Sequence, residues 1–118
     1  MPDCVQVLTT VGSEAEAERI AAALLDARLA ACVQTVGPIT STYVWRGERR
    51  RATEWQCLAK TQDYLYPEVE AAIRAAHSYE EPEILAIPVL AGSRGYLAWV
   101  RENVLPPVSA ERPGRAGS

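Results

Sequence analysis

The only histidine of the chain stands in His77-Ser78-Tyr79-Glu80-Glu81-Pro82-Glu83-Ile84, a segment that also holds a tyrosine and three carboxylates. Imidazole, phenol and carboxylate together can hold a cation or exchange protons near neutral pH. A turn needs little more than Gly, Pro, Asn or Ser, so this density of titratable groups exceeds what chain reversal requires. Binding groups belong on connections held by a rigid scaffold. The plainer reading is a polar helix end with a proline before a strand. The rest of the chain decides between the two.

The other residues with chemical reach are scattered. Cys4, Cys32 and Cys57 are odd in number and form no C-x-x-C pair, which excludes a zinc ribbon or a thioredoxin motif. With no signal peptide, they read as reduced thiols of a cytoplasmic protein. Cys4 and Cys57 lie on strands among apolar neighbours, and Cys32 sits at a helix-to-strand junction, all suited to small buried hydrophobes. No serine or cysteine nucleophile accompanies His77 in a recognisable motif, so no enzyme is expected. A net charge of −3 argues against a nucleic-acid backbone as partner. The one basic run, Arg46 and Arg49-Arg50-Arg51, reads as solvated turn charge. No apolar run approaches the roughly 20 residues of a membrane span.

These residues need a scaffold, and the periodicities supply one. Residues 4–11 are β-rich with apolar residues on both faces, a central strand ending at Gly12. Ser13 with Glu16 makes a capping box for a helix to about Arg28. A long extended segment, about Ala31 to Arg46, is broken at Gly37-Pro38, where a bulge is expected. A turn at Gly47-Glu48-Arg49 leads into a strand, Ala52 to Thr61, in which Trp55, Cys57 and Ala59 alternate with Glu54, Gln56, Leu58 and Lys60. A second helix begins near Asp63 with Pro67 in its first turn. Residues 84–90 form a last strand, and Tyr96, Leu97, Val100 and Val104 mark a short third helix. The order is β-α-β-β-α-β plus a terminal helix, an α+β ferredoxin-like sandwich with two helices on one face of a four-stranded sheet. One domain over 1–105 and a disordered tail over 106–118 are expected.

The hairpin does not suit a monomer. Sixteen extended residues span roughly 50 Å at about 3.3 Å each, against a radius of gyration near 13 Å for a domain of this size. Its outer half carries Tyr43, Val44, Trp45 and Trp55. Neighbouring copies that cover this arm would close a symmetric ring.

At this point the chain resembles the CutA family of divalent-cation-tolerance proteins. The matching pieces are Leu29-Ala30-Ala31-Cys32-Val33, Ser41-Thr42-Tyr43-Val44-Trp45-Arg46-Gly47, and Glu54 with Lys60-Thr61. They continue with His77-Ser78-Tyr79, Pro82-Glu83-Ile84, Pro88-Val89, Gly92, and Tyr96 with Trp99. The resemblance implies a homotrimer whose long hairpins pack on neighbouring subunits, and a role in copper or other divalent-cation tolerance. It also implies copper as a possible ligand, with His77 and Glu83 as the metal residues this chain retains. Thr9 and Ala76 stand where the family's bacterial pattern has a further cysteine and histidine, which weakens that set. An intersubunit cleft is expected from Cys32, Tyr43, Trp45, Glu54, Lys60, His77, Tyr79, Glu83 and Trp99. The alternative is a trimeric signalling protein, similar in architecture to PII proteins, that binds a small metabolite or protein partner without a metal.

Overall fold

Strand β1 (Cys4–Val11) runs through the middle of a four-stranded antiparallel sheet, between β3 (Glu48–Gln62) and β4 (Ile84–Pro88). Strand β2 (Cys32–Trp45) lies outside β3, so the sheet order is β2-β3-β1-β4. Helices α1 (Glu14–Asp26) and α2 (Tyr66–Ala76) are joined to this sheet in the βαββαβ order, and α3 (Arg94–Glu102) follows. A single 3-10 turn, Asp63–Leu65, precedes α2, with Pro67 in the helix's first turn. The computed structural model describes residues 3–108. Of the expected tail, 106–108 are described without regular structure and 109–118 lie outside the described residues.

The period-two pattern sorts residues between faces. Val5, Val7 and Val11 of β1, with Cys57 and Ala59 of β3, turn toward α1 and α2. There they meet Ala17, Ile20, Leu24, Leu65, Val69 and Ile73 in one buried core. Each large side chain buried here contributes about 1.5–3 kcal/mol. The opposite face carries the paired rows Gln6–Lys60–Cys32 and Leu8–Leu58–Gln34, flanked by Ile87 and Leu85 of β4. Helix α3 reaches only one end of that face, where the Tyr96 phenol lies against Cys32. Leu85 is 52% exposed and Ile87 is 44% exposed. Among the described residues, no helix is long and apolar enough to cross a membrane.

The hairpin outruns its support. The last β1–β3 pair is Val11 with Trp55, so from Ile39–Glu54 outward β2 and β3 form a two-stranded ribbon. The molecule accordingly measures 48 × 36 × 24 Å, with a radius of gyration of 15.2 Å. The register shifts between Val36 and Ile39, the expected bulge at Gly37-Pro38. Glycine is required there, because a Cβ would collide with the Trp55 ring. The turn falls one residue earlier than the sequence suggested, at Arg46-Gly47, and Glu48 already pairs with Trp45. Arg46 (φ 52°) and Gly47 (φ 81°) are both left-handed. That is the two-residue turn whose twist matches the strands, which is why it displaces a longer loop.

Candidate functional site

Helix α1 opens with Ser13, whose Oγ accepts the Glu16 N–H at 3.1 Å. The sequence suggested a reciprocal capping box, but the Glu16 carboxylate crosses to the 77–79 loop instead. It accepts the Ser78 N–H at 2.7 Å and the Ser78 hydroxyl at 3.1 Å. Burial pushes the Glu16 carboxyl up, yet these two bonds and the Gly12 N–H outweigh it and hold the group below its usual range. A buried, first-turn carboxylate thus ties the loop to the helix N-terminus.

His77 completes the tie. Its side chain is 0% exposed. Nδ1 accepts the Tyr79 N–H at 3.1 Å, which leaves the proton on Nε2 to be donated to the Thr10 carbonyl at 2.8 Å. Both ring nitrogens are therefore spent on backbone. His77 orients Tyr79, whose ring packs at 4.8 Å from the imidazole. Tyr79 then passes over Gly12, where an added Cβ would sit only 3.3 Å from the phenol oxygen. The hydroxyl donates to Glu54 Oε2 at 2.8 Å. Burial first, and the Glu54 carboxylate second, push the Tyr79 phenol well above its ordinary value, so it stays a donor.

Beyond Tyr79 lies a cleft of about 650 Å³ between the base of the ribbon and the 79–83 loop. Tyr43, Trp45, Glu54, Tyr79 and Glu83, all expected from the sequence, line it. His77 is buried behind it and lines none of it. Cys32, Lys60 and Trp99 are set apart within the chain. Lys60 bonds to Gln34 on the bare sheet face, and Trp99 stacks at 5.7 Å on Tyr96. Thr10, Ser41, Thr42, Arg50, Glu80 and Glu81 join the cleft without having been anticipated. Counting by two along β3 from Glu54 reaches Arg50, and along β2 from Tyr43 reaches Ser41, so that part was legible. Thr10 enters only through its strand neighbours, and its hydroxyl donates to Glu83 Oε1 at 3.3 Å.

The expected metal pair does not fit the arrangement. A copper ligand must offer a lone pair, and the only unprotonated nitrogen of His77 is engaged by Tyr79. Glu83 is in the cleft while the imidazole is behind it. Among the described residues, no three His, Cys, Asp or Glu side chains are grouped to hold a metal ion. Thr9, at the position of the family's cysteine, is in the core opposite Cys57 and 1% exposed. Its hydroxyl has no hydrogen-bond partner among the described residues. Cys57 is equally unsuited, since burial and then the Glu16 charge push its thiol up to about 11.

Comparison with known proteins places these features. The family described as CutA1 divalent ion tolerance protein matches residues 5–103. The divalent-cation tolerance protein CutA of Thermus thermophilus is 46% identical over 97 residues, covering 82% of this chain and 94% of the relative. The human protein CutA is 41% identical over 93 residues, 79% of this chain, which spans only 52% of that longer protein. The solved Thermus thermophilus structure superposes with a TM-score of 0.84 at 44% identity, covering 86% of this chain and 98% of the other.

Proposed function

This chain belongs to the CutA1 family of divalent ion tolerance proteins, and from that premise we propose that it acts in divalent-cation tolerance as a homotrimer. The observation that carries this is the bare sheet face. Leu85, Ile87, Val36, Tyr96 and Trp99 are all exposed beside a ribbon that no third strand supports. Large apolar side chains exposed together on one face mark an interaction site, and a two-stranded ribbon is marginal alone. An arm that projects from one side meets a different patch on its neighbour, and such contacts stay finite only as a closed ring.

The proposed role in tolerance does not run through copper held by His77, because that ring is committed to Thr10 and Tyr79. We assign the chain a binding role and no reaction. The Ser78 hydroxyl, the nearest alcohol to the imidazole in sequence, is committed to Glu16.

Light scattering of the purified protein tests the assembly, with three times the chain mass expected. A monomer at micromolar concentration overturns it. Calorimetric copper titration of the reduced protein beside His77→Ala tests the second part. Equal, unsaturable heats are expected from both. Saturable binding at a fixed ratio per chain, lost in the variant, overturns it.

A further inference from the structure

The cleft has an unbalanced charge. Four of its lining residues are glutamates, but they are not equivalent. Glu80 pairs with Arg46 at 3.5 Å, and Glu81 with Arg74 at 3.5 Å, both near the surface. Arg50, the one cation in the lining, is turned to Glu48 at 3.2 Å. Glu54 and Glu83 have hydroxyl partners only, from Tyr79 and Thr10.

Glu54 is the telling residue. It is only 7% exposed, it lines the cleft, and among the described residues no cation faces it. Its Oε2 accepts from a neutral phenol and no donor is set against Oε1. Buried charges are ordinarily paired, because an uncompensated carboxylate loses its hydration without return. The aromatic walls of the cleft are Tyr79, in contact with Glu54, and further out Tyr43 and Trp45. Aromatic faces attract cations and accept apolar stems, and they repel anions. The volume is within the range of small-molecule sites.

We propose that this cleft is a binding site for an organic ammonium ion with an apolar body. The ammonium group sits against Glu54, the body lies along Tyr79 toward Tyr43, and Glu83 supplies a second carboxylate at the edge. A bare divalent ion fits less well, since it demands several rigid oxygen ligands and gains nothing from three aromatic walls. His77 and Glu16 act as positioning residues, holding Tyr79 and therefore the orientation of Glu54. The site rests on the assembly proposed above for its surroundings: Tyr43 and Trp45 belong to the arm that neighbouring copies would cover, so in the trimer the amine enters at a subunit boundary.

The test uses 2-phenylethylammonium and its neutral twin 2-phenylethanol, titrated by calorimetry into the full chain at low ionic strength. Saturable binding of the amine at one per chain is expected, with the alcohol at least tenfold weaker. Glu54→Gln, which keeps an acceptor for Tyr79, should weaken the amine at least tenfold. Glu83→Gln should weaken it a few-fold. Tyr43→Ala, on the exposed ribbon, should weaken amine and alcohol alike, and it serves with Glu83→Gln if Glu54→Gln misfolds. Three results overturn the proposal: equal affinity for amine and alcohol, no change in amine affinity on removing either carboxylate, or no saturable amine binding. The last is also what a cationic side chain from a second copy, already seated in the cleft, would produce. Displacement of the amine by millimolar magnesium with preserved stoichiometry would instead make this a metal site.

Discussion

The two faces of the sheet are built from the same four strands and have opposite fates. On one face Val7, Val11, Cys57 and Ala59 are sealed under α1 and α2, and the loop 77–79 is locked to α1 by Glu16 and to β1 by His77. On the other, Leu85 and Ile87 stand in the open, and the ribbon beyond Trp55 has no third strand. The first face completes itself within one chain. The second, on our reading, is completed by other copies. The difference teaches that stability and assembly of this protein are separable, because they depend on side chains pointing in opposite directions from shared backbone.

That separation can be attacked directly. Leu85→Asp places a charge on the bare face, and light scattering should show the mass falling to that of one chain while circular dichroism keeps the α+β signature. An unchanged mass would remove this face from the interface. Ile73→Ala, on the sealed face, should cost about 2–5 kcal/mol in denaturant unfolding by transfer and cavity terms. It should leave the mass under native conditions alone. A loss of assembly with intact secondary structure would show that the faces are coupled.

Glu16→Ala removes the charged acceptor of the part-buried Ser78 N–H and should cost about 1.5–3 kcal/mol. The pH dependence has a definite sign. The folded carboxyl is held below its unfolded value, so its contribution is complete above about pH 4.3 and is lost as pH falls through the folded value. Glu16→Gln should therefore flatten the stability profile in that acidic window only. The smallest effect is on the sealed face itself. Thr9→Val replaces a buried hydroxyl that has no partner, and should raise unfolding stability by up to about 1 kcal/mol. A loss of that size would mean the hydroxyl is satisfied in solution.

The site was partly legible because strands advertise their faces. Glu54, Tyr43 and Trp45 sit at alternate positions on paired strands, and the 77–83 loop announced itself by composition. His77 was misleading for the same reason it was conspicuous. An imidazole looks like a ligand in a sequence, but its two nitrogens are spoken for only once the Thr10 carbonyl and the Tyr79 N–H arrive in space. Glu16 was legible as a helix-start residue and hidden as the anchor of a loop 62 positions away.

By itself the amino-acid order determined the element sequence, the bulge at Gly37-Pro38, the two-faced sheet and the excessive hairpin, since each follows from local periodicity or backbone restriction. Only the tertiary structure decided which polar groups are spent and which remain. Glu80 and Glu81 found arginines, Glu54 did not, and His77 turned inward. Hydrogen bonds and ion pairs across dozens of residues depend on the exact meeting of distant strands and loops, and no local pattern encodes that.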